Sequence, residues 1–215
     1  MWATIDPRGR GSHLRWPASP TNLDSVSETS PRAQKQRERE RRVIEAAMRL
    51  AAQGGYDAVQ MREVAAHSDV ALGTIYRYFN SKDAVLVAGL AGWLGLARKR
   101  IAAQGIVADT AADQLVAVLD SAMSGGIRQP RLMGALITAL ASTDPEVAQY
   151  KLVVEQEMAA MISDALGGFD GVDVDGVRRV IGHVWFSSIV SWVGGIRESH
   201  SINDELHLAA HLLLD

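Results

Sequence analysis

The side chains best equipped for chemistry crowd between Arg62 and Lys82, where Leu72, Gly73, Thr74, Tyr76, Arg77 and Tyr78 fall within seven positions. Thr74 and Tyr76 offer hydroxyls to phosphate oxygens, and Arg77 offers a planar fork to a base edge or a phosphate. Gly73 lets a backbone approach a partner closely. This is chemistry for reading a nucleic acid. Bond-making groups are scarce by comparison. No G-x-G-x-x-G follows a strand, no G-x-S-x-G occurs, and Ser187 and Ser188 follow His183 with no carboxylate apparent to orient it, so no enzyme activity is expected. His207 and His211 have the i, i+4 spacing of metal ligands, but Glu205 is poorly placed as a third. They read as surface or interface histidines, with neither metal nor cofactor expected.

Those residues need elements to carry them, and from Gln34 onward the apolar period is helical almost everywhere. A first helix is expected over 34–53, stopped by Gly54 and Gly55. A short second helix is expected over 61–67, a turn at Asp69 and Val70, and a third helix over 72–79. Asp tolerates left-handed backbone better than most residues. Two short helices joined by a tight turn read as a helix-turn-helix. The third is too short to stand alone. Ile75 and Phe79, four apart, must anchor it, which leaves the Leu72–Arg77 face free. Ser81 is a suitable cap for a long fourth helix over 82–104.

Further helices fit 111–125, 130–142, 145–166, 174–196 and 203–214, with Pro130 and Pro145 in first turns. The expected fold is therefore all-α, with about nine helices: a three-helix head over 32–82 and a helical ligand-binding and dimerisation body over 83–215. Residues 1–31 hold Pro7, Pro17, Pro20 and Pro31 and no apolar run. They read as a disordered N-terminal arm, neither signal peptide nor anchor. The stretch 180–196 is short of the roughly 20 residues a membrane span needs, so it reads as a buried helix and no membrane partner is expected.

Composition sharpens the division. The apolar fraction of 47% and charged fraction of 22% are ordinary for a globular chain. The net charge of −3 hides an asymmetry. Residues 32–82 carry ten Lys and Arg against six Asp and Glu, whereas residues 83–215 carry nine against sixteen. A basic head attracts phosphates while an acidic body limits non-specific binding. The Arg32–Arg42 run reads either as a minor-groove arm or as a solvated helical turn interleaved with Glu38 and Glu40. With no cysteine, disulfides and thiolate chemistry are excluded, and a reducing cytoplasm is the expected setting.

The stretch from Gly55 to Lys82, with its core Gly73-Thr74-Ile75-Tyr76-Arg77-Tyr78-Phe79 followed by Ser81-Lys82, resembles the DNA-binding head of the tetracycline-repressor (TetR) family. The resemblance implies a dimeric repressor that binds a palindromic operator and is released by a small molecule. It places Arg62 near bases or phosphates, puts Leu72, Gly73, Thr74 and Arg77 at the major groove, and counts Ala71 among the DNA-binding positions. Tyr76, Tyr78 and Lys82 become phosphate clamps. Two departures stand out: Gln60 and Ala71 occupy positions where the family usually has a capping hydroxyl. These departures, with Val180-Ile181-Gly182-His183-Val184-Trp185-Phe186 and Trp192 later on, are similar to the actinobacterial repressors of cholesterol and other steroid catabolism. The effector implied there is a coenzyme A thioester of a sterol-derived acid.

In the body, Trp93, Trp185 and Trp192 are the candidate effector contacts. Trp185 and Trp192, seven apart on one helix, suit a sterol-sized cavity, a dimer seam or plain core. His183, alone on an apolar helix, reads as a satisfied buried histidine. Gly89, Gly92 and Gly95 imply close approach of a helix or a ligand, close helix packing being the simpler reading. The fourth helix is the expected lever between effector and head, and the last two long helices of each chain the expected four-helix dimer seam. The competing readings are a TetR-type regulator of another lipid, efflux or xenobiotic pathway, or a helical adaptor without operator binding.

Overall fold

The computed structural model describes residues 31–215, which form nine α-helices and no strand. The helices are α1 (Pro31–Gly54), α2 (Met61–Ser68), α3 (Leu72–Ile75), α4 (Lys82–Gln104) and α5 (Ala111–Met123). They continue as α6 (Pro130–Leu140), α7 (Pro145–Leu166), α8 (Val174–Val193) and α9 (His200–Leu214). A single 3-10 turn, Tyr56–Ala58, joins α1 to α2. The all-α expectation holds. Of the expected disordered arm, residues 1–30 lie outside the described residues, and Pro31 is the first residue of α1.

The helix ends follow local chemistry. Ser81 caps α4 by accepting the Ala84 amide at 3.2 Å, and Thr110 caps α5 by accepting the Asp113 amide at 3.1 Å. Asp144 and Asp173 cap α7 and α8 in the same way, at 2.9 and 3.0 Å. Neither Gln60 nor Ala71 places a side-chain acceptor on its helix, as their departure from the family pattern implies. Asp69 terminates α2 in the left-handed region, with φ 53°.

Several boundaries differ from expectation: α1 starts three residues early, and α5 and α6 each stop two residues early. The α-helical part of the third element stops at Ile75; Tyr78 and Phe79 still donate to the Ile75 carbonyl, so the chain continues as tight turns to Asn80. Helix α8 ends at Val193 because Gly195 turns left-handed, with φ 72°, and the Gly194 and Ile196 amides fold back onto the Val190 and Ser191 carbonyls. Helix α9 begins three residues earlier than expected, at His200.

One core runs through the whole described chain. In the head, Val43, Ala47, Val64, Ile75 and Phe79 are all at most 1% exposed, so the two predicted anchors of α3 are both buried. Helix α4 leaves the head and packs on α1, α6 and α7. A Cβ added at Gly89 would stand 2.8 Å from the Met48 sulfur and 3.3 Å from Ile44 Cγ2. That glycine therefore serves the contact between α1 and α4, as the simpler reading had it. The far ends of α4 and α7 are tied by Arg98, whose Nε meets Asp164 at 2.7 Å and whose Nη1 lies 3.5 Å from Glu157. Helices α8 and α9 pack on each other and close the other side of the bundle.

Candidate functional site

Helices α2 and α3 and the turns on either side of α3 carry the predicted reading set apart from Lys82. Arg62, Ala71, Gly73, Tyr76 and Arg77 are exposed, while Leu72, Thr74 and Tyr78 are half-buried. A Cβ added at Gly73 would meet nothing within 4 Å. Its bare side therefore serves nothing inside the chain, and it faces the open side of the element. The core holds α3 from behind through Ile75, leaving Leu72, Thr74 and Arg77 at the rim.

Lys82 sits at the start of α4 but is engaged. Its Nζ lies 3.7 Å from the centre of the Tyr56 ring and donates to the Tyr56 carbonyl at 3.2 Å. The Tyr56 hydroxyl donates to Asp83 at 2.5 Å, and burial followed by that bond pushes the phenol up to about 12. The resulting box fixes the entry of α4 against the 3-10 turn and leaves Lys82 half-buried beside the reading face.

The Arg32–Arg42 run lies on α1, which suits the solvated-helix reading over an extended arm. Arg41 is bridged by Glu38 at 2.5 Å and Glu45 at 2.6 Å, and Arg42 reaches Asp69 at 3.6 Å. Part of the head's positive charge is thus neutralised locally. Glu40 is buried within the same helix, and its burial pushes the carboxyl up despite the Gln36 hydrogen bond.

A cavity of about 830 Å³ lies in the body between α4, α6, α7 and α8, with the end of α5 at one side. Its wall is apolar, including Leu90, Trp93, Met133, Leu136, Met158 and Trp185. Trp185 is 3% exposed, and its indole N–H donates to the Met123 sulfur. Of the three candidate tryptophans, Trp93 and Trp185 therefore line the cavity. Trp192 packs against the core elsewhere and does not.

Polar groups join this apolar lining. Lys151 and Glu155 come from α7, and Arg178, Arg179 and His183 form a basic rim on α8. His183 is exposed, with Nδ1 2.6 Å from the Arg179 carbonyl, which corrects the expectation of a buried histidine. Its helix turns that face toward the cavity rim instead of the core. Sequence reasoning missed this basic rim. Arg178, Arg179 and His183 were visible as neighbours on one helix, but nothing in the sequence turns them toward a cavity, and Lys151 enters its lining from α7.

Other candidates resolve into structural pairs. His207 bonds Asp120 of α5 at 2.9 Å, and His211 bonds Asp215 at 2.9 Å. Ser188 is buried and donates to Glu205 at 2.5 Å, and Glu205 in turn holds Arg197 at 2.7 Å. No helix among the described residues is long and apolar enough to cross a membrane.

Residues 43–88 match the family described as bacterial regulatory proteins, tetR family, and residues 108–213 match a tetracyclin repressor-like C-terminal domain. The HTH-type transcriptional repressor KstR of Mycobacterium tuberculosis is 33% identical, over 90% of this chain and 95% of its own length. The chain belongs to the TetR family. The two matches span head and body alike, so the family assignment rests on more than the α2–α3 signature. The identity to KstR also upholds the narrower resemblance to the actinobacterial steroid-catabolism repressors. Among solved structures, a TetR transcriptional regulator from Rhodococcus sp. RHA1 is similar with TM-score 0.73 and 30% identity, over 84% of this chain and 97% of that one. The regulator FadR from Bacillus subtilis, in complex with stearoyl-CoA, shares the fold with TM-score 0.60 at 21% identity, over 81% of this chain and 97% of that one.

Proposed function

We propose that this TetR-family chain is a homodimeric transcriptional repressor that reads a palindromic operator through α2 and α3 and is released by an acyl-coenzyme A, specifically a sterol-derived one. The observation that carries the effector reading is the two-part cavity: about 830 Å³ of largely apolar lining, with Arg178, Arg179 and His183 of α8 as a basic rim. Cavities of this size suit a ligand with a large hydrophobic body. The basic rim suits an anionic head, and a coenzyme A thioester unites the two. The Bacillus subtilis FadR, captured with stearoyl-CoA, is a fold relative with that ligand class. The sterol part of the reading rests on the steroid-catabolism resemblance and on the KstR relatives.

Dimerisation through α8 and α9 would bring two reading faces to successive major grooves. Exposed Val180 and Val190 on α8 and exposed Leu208, Leu212 and Leu213 on α9 favour that seam, since apolar faces of this kind are costly to leave in water. Release requires the effector to bind the DNA-free conformer more tightly, by about 1–3 kcal/mol in ordinary allosteric cases. Helix α4 offers one route, with Leu90, Trp93, Leu94 and Ala97 on the cavity and Lys82 beside the reading face.

The test is fluorescence anisotropy of duplexes that the protein selects from a random pool, titrated with a sterol-acid coenzyme A thioester and, separately, stearoyl-CoA. Release by the sterol thioester at lower concentration supports the whole reading. Release by stearoyl-CoA alone replaces the sterol with a straight acyl chain. Recovery of no preferred duplex overturns operator binding.

A further inference from the structure

We propose that the first two turns of α7 form a latch on the recognition segment, so that the cavity controls α3 from its C-terminal side through α7 as well as through α4. The proposal rests on the regulator reading above and adds a second, separate transmission element. Three contacts define it. The Asp144 carboxylate caps α7 through one oxygen, accepting the Glu146 amide at 2.9 Å. Its other oxygen accepts Asn80 Nδ2 at 3.0 Å. Two turns on, Tyr150 is 2% exposed and its ring lies 6.0 Å from the Phe79 ring, tilted by 37°. The Tyr150 hydroxyl also reaches the Tyr78 carbonyl at 3.4 Å. Consecutive residues Tyr78, Phe79 and Asn80, which close the recognition element, are thus all held by α7.

The same helix is a wall of the cavity. Lys151 follows Tyr150 directly, and Val154, Glu155 and Met158 continue the lining one and two turns later. At 1.5 Å rise per residue, Tyr150 and Met158 are only about 12 Å apart along one rigid rod. Lys151 also donates to the Ser142 carbonyl, which binds the turn before α7 to the same unit. An occupant that shifts or tilts this stretch must carry Asp144 and Tyr150 with it, and these cannot move without pulling on Tyr78–Asn80. Packed side chains transmit such shifts because the interior has little free volume to absorb them. Helix α4 continues the chain directly after Ser81, so the recognition segment is connected to two cavity-lining helices.

The linkage is reciprocal, so operator DNA must also order α7, and this can be read without any effector. The experiment is amide hydrogen exchange of the full chain, free and bound to its selected duplex, for the wild type and for Asn80→Ala with Tyr150→Leu. In the wild type, DNA should slow exchange across residues 146–154 by about fivefold or more. The double variant should lose that remote protection while keeping DNA protection at α2 and α3. Should the variant fail to fold, Asn80→Ala with Tyr150→Phe, which keeps the buried ring, should show a reduced α7 effect. Protection at α2 and α3 without any at α7 in the wild type overturns the latch and leaves the regulator intact. Undiminished α7 protection in the folded variant also overturns it. No protection at α2 and α3 overturns the regulator reading and the latch together.

Discussion

Changing Gly73 to Ala should make the protein more stable and a worse operator binder at once. Gly73 lies in α3 with ordinary helical backbone, and a Cβ there meets nothing within 4 Å. Inside the chain the methyl group costs nothing sterically, while alanine is the better helix former by up to about 1 kcal/mol. In so short a helix a gain of about 0.5–1 kcal/mol is expected, which for a chain of this length raises Tm by roughly 1–4 °C. Against DNA the sign reverses, because the methyl fills the space that the backbone needs for close approach. Forcing a methyl into a packed contact costs about 1–3 kcal/mol. That corresponds to roughly a five- to 150-fold weaker Kd. Scanning calorimetry and anisotropy on the selected duplex read the two halves separately. A lower Tm would show that the space beside Gly73 is needed by the fold. A higher Tm with unchanged affinity would show that this face of α3 does not meet DNA.

Three further outcomes follow from other parts of the chain. Ser81→Ala removes the acceptor for the Ala84 amide and should cost about 1 kcal/mol, or roughly 2–4 °C of Tm, with Thr at the same position restoring most of it. Glu40→Gln should raise Tm at pH 7: burial lifts the folded carboxyl above its unfolded value, so the charged form penalises the fold, and the gain should vanish below about pH 4, where both states are protonated. Arg179→Gln should weaken stearoyl-CoA binding, followed by tryptophan fluorescence, by a factor of up to about five while leaving free stearate nearly unchanged, since an exposed cation contributes about 0.2–1 kcal/mol to an ion pair. Equal loss for both ligands would remove the coenzyme A head from the rim.

The head was legible almost residue by residue because its information is local. Ile75 and Phe79 four apart, Asp69 at the turn, and Ser81 before a long helix each state their role through spacing or side-chain chemistry, and each has that role in the structure. The body was legible as helices but not as a site. Trp93 and Trp185 are large aromatics that do line the cavity, whereas Trp192, on nearly the same face as Trp185, lies about 10 Å farther along α8, past the end of the lining. The Met residues of the wall carry no periodic signal that separates cavity from core. The rim has no sequence signal for a related reason: Lys151 and Glu155 lie on α7 and Arg178, Arg179 and His183 on α8, and only the packing of both helices around one cavity brings them into a common lining. The end of α8 differs from the expected 196 because Gly194 and Gly195 stop the helix as Gly54 and Gly55 stop α1, although the apolar run continues to Ile196.

Under the proposed function, the shortness of α3 would tie reading to control. Four α-helical residues cannot hold themselves, so the segment takes its position from whatever packs behind it. Ile75 supplies one anchor within the head. Phe79 supplies the other, and it rests on Tyr150 of α7, outside the head. A longer recognition helix with its own cap would be stable wherever the body moved, and would read DNA regardless of the cavity. A weakly self-supporting one reports the geometry of its supports. The missing hydroxyl at Ala71 extends this logic, because it removes a local cap that would have made α3 more independent. Installing that cap with Ala71→Ser should therefore do two things: tighten operator binding in the absence of effector, and reduce the ratio by which a releasing thioester weakens it. If the cap tightens binding but leaves that ratio unchanged, the position of α3 is not set by its distant supports, and the coupling must run through the spacing of the two heads alone.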